Sequence, residues 1–311
     1  MSIAKRRPRL VQVSEPASSM KCGFDTGLAV KVMAKIPICV GLLLAPFVGV
    51  AMAAEHRIEP ESNLQDFLGS VAPGDAIVLA DGVWTDRRFR FDRLNGTPEA
   101  PIHIRAQTPG GVVLRGEVEF CLSGRHVTVS GLRFENPVSV SDVFQFRTHS
   151  DRHAHHCRIT DCSFEQHEGE RDASESRWVG VYGTSNRVDH CYFAGKRNRG
   201  TTLVVWVSDT VGNHRIDHNH FGPRPVLGKN GGETIRIGTS DVSEQNSRTV
   251  VEANHFQRCD GEAEIISNKS CENIYRHNLF DRCSGALTLR HGHRCLVDGN
   301  VFLGHAERGT G

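Results

Sequence analysis

The sequence predicts an all-β fold, a right-handed parallel β-helix (a solenoid) with a short N-terminal capping helix. Three observations carry this. A segment ending in Phe recurs along the chain. Asn or Cys stands two residues before nearly every one of those Phe. The chain holds 31 Gly and only 7% aromatic residues, a mix that suits many short strands and turns better than a helical bundle.

The repeat reads VTVSGLRF to Phe134, CRITDCSF to Phe164, RVDHCYF to Phe193, RIDHNHF to Phe221, VVEANHF to Phe256, IYRHNLF to Phe280 and LVDGNVF to Phe302. The Phe-to-Phe intervals are 30, 29, 28, 35, 24 and 22 residues. One coil of a β-helix has this length, and successive coils stack at about 4.8 Å, so equivalent residues lie above one another. Phe then fills the interior as an aromatic stack. Leu132, Cys162, Cys191, Asn219, Asn254, Asn278 and Asn300 share one corner, where Asn satisfies backbone groups that a turn leaves unpaired. The Leu-x-x-Leu-x-Leu frame of a leucine-rich repeat is absent, and a propeller needs units of about 40–50 residues.

Residues 1–53 read as an export segment. Lys31 and Lys35 form a basic region, an apolar run extends from Ile36 to Val50, and Ala51-Met52-Ala53 matches a small-x-small cleavage site. Met20 or Met33 is an alternative start. The run is shorter than the roughly 20 apolar residues of a membrane span, so an exported protein, periplasmic or secreted and without stable membrane association, is expected. Residues 54–311 form the β-helix domain. Pro60 to Leu68 reads as the capping helix, with Ser62 as its N-cap, and residues 73–84 as the first coil. The chain stops at Gly311 in mid-repeat, which reads as a C-terminal truncation.

Residues 1–53 hold seven Lys/Arg and two Asp/Glu, so the net charge goes from +1 for the full chain to −4 without them. A protein of this sign has no broad basic field, which excludes nucleic acid as a partner. A polyanion would have to be bound by a few placed cations or a metal. The ten Cys match no zinc-ligand spacing and read mostly as buried free thiols of the repeat.

Chemistry concentrates in GKNGGETIRIG at 228–238, DGEAEIISNK at 260–269 and LTLRHGH at 287–293. Alternation along a strand turns Ile235, Ile237, Ala263, Ile265, Leu287 and Leu289 inward, and Arg236, Glu262, Glu264, Thr288 and Arg290 outward. Aligning coils on Phe256 and Phe280 sets Glu264 level with Thr288. Glu262 and Glu264, about 6–7 Å apart at i,i+2, repel unless a cation joins them. Oxygen ligands suit a hard cation such as Ca²⁺, and Asn230 could add a carbonyl oxygen. Lys269 beside such a cation can act as a base, and Arg290 stays charged at any working pH.

The segments NGGETIRIG, CDGEAEIISNKS, ENIYRHN and LRHG resemble polysaccharide lyase family six, the family of alginate lyases and chondroitinase B. The resemblance runs from PGDAIVLADGVW through SGLRFEN to FLG near the end. It implies Asn230, Glu262 and Glu264 as calcium ligands, Lys269 as general base and Arg290 as general acid. Arg236 and His291 line the site, and Lys196 in FAGKRNRG is a further candidate for substrate carboxylates. The implied function is calcium-dependent β-elimination on a uronic-acid polymer, an anionic polysaccharide. The wording GGETIRIGTS and EAEIISNKS sides with alginate; dermatan sulfate, or a glycan-binding β-helix without activity, is the alternative. Family members continue beyond the position of Gly311.

Overall fold

The computed structural model describes residues 53–139, 141–167 and 175–304. The expected export segment lies, except for Ala53, outside them, as do the last seven residues.

The coils run through three sheets, of ten, ten and nine strands. The first sheet runs from Glu55–Ile58 to Leu296–Asp298 and the third from Gly82–Thr85 to Val301–Leu303. The second carries Ile235–Ile237, Glu264–Lys269 and Ala286–His291 as neighbours. Pairing is parallel, apart from the short antiparallel contact of Arg147–His149 with Arg152–His155. This is the parallel β-helix the repeat predicts. Among the described residues no helix is long and apolar enough to cross a membrane.

The Phe column is continuous. Phe134, Phe164, Phe193, Phe221, Phe256, Phe280 and Phe302 stack at centroid distances of 4.2, 5.1, 5.0, 4.9, 4.7 and 4.4 Å. All but the last are buried, and Phe302 is 56% exposed. Beside them runs the Asn ladder. The backbone N–H groups of Cys191, Asn219, Asn254 and Asn278 each donate to the Oδ1 of the next coil's Asn at 3.0 Å. The Nδ2 groups of Asn219, Asn254, Asn278 and Asn300 donate to the carbonyls of Val188, Ile216, Val251 and Tyr275 at 2.9 Å. Each such bond contributes about 1 kcal/mol net, and more is lost if its buried partner is orphaned. The residue before each ladder position turns the corner with positive φ: Asp161, His190, His218, Ala253 and His277 at 51–56°. All eight described Cys are free, six of them buried.

The N-terminus differs in detail from expectation. The helix covers only Gln65–Leu68, follows Leu64, and has no side-chain cap. Ser62 instead closes the turn before it, its N–H donating to the Glu59 carbonyl at 3.0 Å and its Oγ accepting from the Glu59 N–H at 3.2 Å. Pro60 does not start the helix. Leu64, Phe67, Leu68 and Val71 pack against the core at this end. A strand precedes the expected first coil: Glu55–Ile58 pairs with Ala76–Leu79. Asp75 ties the two together by accepting from the N–H groups of Ala54 and Ala72 at 2.8 and 2.9 Å.

Candidate functional site

Three neighbouring strands of the second sheet set the site. Ile235, Ile266 and Leu287 form one column, and Arg236, Ser267 and Thr288 the next. This corrects the register read from the Phe repeat. Glu264 pairs with Ala286, and Thr288 lies level with Ser267. The cause is a bulge between Glu264 and Ile266. It breaks the alternation, so that Ile265 and Ile266 are both buried, whereas Ala263, expected inside, is exposed. The bulge re-aims Glu264 without losing the ladder, as bulges beside functional sites do.

Carboxylate oxygens of Glu233, Glu262 and Glu264 lie within 4.8 Å of one another. Glu262 is fixed by the backbone: its Oε2 accepts from the N–H groups of Gly231 and Gly232 at 2.7 and 2.8 Å. Glu233 is 3% exposed and its Oε2 is buried with no hydrogen-bond partner. Burial pushes its carboxyl above the usual range and the charge of Glu262 adds to this; its own amide, Arg236 and Lys269 oppose the rise without cancelling it. Burial also pushes Glu264 up, but Ser267, Arg290 and the charge of Lys269 outweigh it and leave the group below its ordinary value. An orphaned buried oxygen among three crowded carboxylates fits a hard divalent cation, which prefers all-oxygen ligands.

Glu233 was missed in the sequence. It shares the parity of inward Ile235 and Ile237, and a carboxylate in phase with core residues is the signal that could have found it. Asn230 is exposed, in the turn just before Gly231. Lys269 ends the strand that Glu264 begins, and no ion pair engages it among the described residues. Arg290 is exposed and its Nη1 donates to Glu264 Oε1 at 2.8 Å. The Arg236 guanidinium lies over the Trp206 ring, 5.4 Å from its centroid. His291 is exposed and paired with Lys269, and its carbonyl accepts from Asn268 Nδ2 at 2.7 Å. Lys196 is the correction. It is 1% exposed, and its Nζ donates to the Asn198 side chain and, at 3.3 Å, to the Asn198 carbonyl. Its loop folds inward, so the amine is not offered to a polymer on the surface.

The sequence model of the chondroitinase B family matches residues 58–310. The chain belongs to this family. The solved structures it resembles include family 6 polysaccharide lyases. A mannuronic acid specific family 6 lyase from human gut microbiota is 40% identical, with a TM-score of 0.76 over 83% of this chain and 60% of its own. The family 6 alginate lyase AlyGC is 44% identical, with a TM-score of 0.76 over 80% of this chain and 35% of its own. A family 6 alginate lyase complexed with a trisaccharide is 26% identical, with a TM-score of 0.67 over 83% of this chain and 56% of its own. The chain thus spans between about a third and three fifths of these relatives' lengths. Among curated proteins none matches significantly.

Proposed function

We propose that this chain is a calcium-dependent lyase that cleaves alginate by β-elimination, leaving a 4,5-unsaturated uronate at the new non-reducing end. The observation that carries the reading is one amine and one guanidinium set beside three carboxylates clustered where neighbouring strands of the second sheet begin. Glu233, Glu262 and Glu264 would hold Ca²⁺, with Asn230 supplying a further oxygen. When bound, Ca²⁺ supplies positive charge against the substrate carboxylate, whose own charge otherwise leaves the C5 proton very weakly acidic. Lys269 takes that proton. Arg290, held over the cradle by Glu264, donates to the glycosidic oxygen departing from C4. Arg236 and His291 meet substrate carboxylates alongside. Paired-carboxylate hydrolysis is the poorer reading, because ligation would engage the acids it needs.

Alginate is favoured because the relatives at 40% and 44% identity are a mannuronic acid specific lyase and an alginate lyase. A polymer of this size is met outside the cytoplasm, so export belongs to the same reading. The test is incubation with alginate and with dermatan sulfate, with Ca²⁺ or a chelator, following the ultraviolet absorbance of unsaturated ends. Activity on alginate that the chelator removes is expected. Lys269→Ala should cost about a thousandfold or more, the scale of general-base catalysis, with an unchanged melting temperature. Binding without cleavage would sink the lyase reading, and cleavage of dermatan sulfate alone would sink the substrate.

A further inference from the structure

We propose that Arg224 is a positioning residue for the carboxylate cradle, a buried fork that locks the arm 231–233 in the geometry that receives the cation. This rests on the calcium reading above.

Arg224 lies one coil before the Glu262–Glu264 segment and is 3% exposed. Its backbone is bridged to Cys259, and its carbonyl accepts from the Asp260 N–H at 3.0 Å. Nη1 donates to the Glu233 carbonyl at 2.6 Å and to Thr202 Oγ1 at 3.1 Å. Nη2 donates to the carbonyls of Gly200 at 2.8 Å and of Asn198 and Gly231 at 3.4 Å. A buried guanidinium ordinarily takes a carboxylate partner. Here every one of these donors goes to a carbonyl or a hydroxyl. Burial lowers its pKa to about 10, with Glu233, Cys259 and Glu262 opposing, so it stays charged at neutral pH.

Two of those acceptors, the carbonyls of Gly231 and Glu233, are the backbone of the cradle itself. Gly231 and Glu233 flank Gly232, and the N–H groups of Gly231 and Gly232 hold Glu262. One planar fork therefore ties Glu233 and the donors of Glu262 to the preceding coil at Gly200. The packing leaves no slack: a Cβ on Gly261 would lie 2.2 Å from the Gly232 carbonyl oxygen and 2.8 Å from Arg224 Nε. The rival role is plain countercharge to the three carboxylates. Lysine separates the two, since it keeps the charge and loses the rigid two-armed span.

The experiment compares the full chain with Arg224→Lys and with Asn186→Ala. Asn186 is a buried residue bonded to the carbonyls of Ala154 and Tyr182. Amide exchange over residues 228–234 is read without metal, and CaCl₂ affinity by calorimetry well below each melting point. Arg224→Lys should speed exchange in that segment and weaken Ca²⁺ binding, each by about tenfold or more, the usual range for a residue that orients metal ligands. Asn186→Ala should lower the melting temperature and move neither. Wild-type exchange and affinity in Arg224→Lys, or an equal effect from Asn186→Ala, overturns the proposal. If Arg224→Lys does not fold, Thr202→Val removes one acceptor at constant shape and should shift both readouts the same way, by about threefold; no shift there overturns it. If the wild type takes up no Ca²⁺, the calcium reading fails, and the exchange comparison alone decides the role of Arg224.

Discussion

Along the Asn corner, Asn219, Asn254, Asn278 and Asn300 make the same bonds coil after coil. At the second sheet, Glu233, Glu262 and Glu264 crowd together and one buried oxygen finds no donor. The first arrangement uses repetition to satisfy every group and sits beside a column of Phe. The second departs from repetition at each step: a bulge at Glu264, paired glycines at 232 and 261, and an arginine buried among carbonyls. The difference teaches where each region puts its free energy. The corner stabilises the solenoid, and the cradle gives up stability to hold like charges together.

The comparison breaks most readily in the Phe column. Phe256 is fully buried between Phe221 and Phe280, so Phe256→Ala should lower unfolding free energy by about 4 kcal/mol, read by urea titration. Lyase activity per folded molecule should persist. Loss of activity in the folded fraction would mean that corner and cradle are not separable. A smaller effect concerns pH. His214 is buried, and its Nδ1 accepts from the Asn186 N–H at 3.2 Å. Burial pulls its pKa down from 6.5 to about 4. Below pH 6.5 the unfolded chain takes the proton and the folded chain does not, so stability falls as pH drops from 6.5 to about 4. The loss is about 3 kcal/mol for one group. His214→Asn should flatten that limb of the stability–pH curve; an unchanged limb would show that His214 is not the group responsible.

The repeat made the corner legible in the sequence, because stacking requires the same residue type at the same place in each coil. Phe134 through Phe302 and the Asn ladder followed from spacing alone. The cradle was legible only in part, and mostly through family resemblance. Alternation misplaced Ala263 and the level of Glu264, since a bulge leaves no mark in a period of two. Lys196 read as a surface cation because a loop sequence does not say which way the loop folds. Arg224 carried no signal, since its role arises from carbonyls on two other segments that meet only after the coils stack. Ser62 had the residue type of an N-cap, but the helix began too late for it to serve.

The smallest expected effect is the sharpest test of the contrast, because it has two signs. Glu233 is buried beside Glu262, and both its burial and that neighbour's charge penalise its ionised form. Glu233→Gln keeps the shape and removes the charge. Without metal the variant should therefore be more stable than the wild type, by about 1 kcal/mol. With metal the sign reverses: a neutral amide oxygen is a weaker ligand than a carboxylate, and Ca²⁺ affinity should fall about tenfold. The melting temperature measured with a chelator and again with saturating CaCl₂ reads both. A ladder residue cannot behave this way, since Asn254→Ala removes satisfied bonds and should destabilise equally in both conditions. If Glu233→Gln also destabilises equally in both, Glu233 is a structural group and the cradle loses its third member.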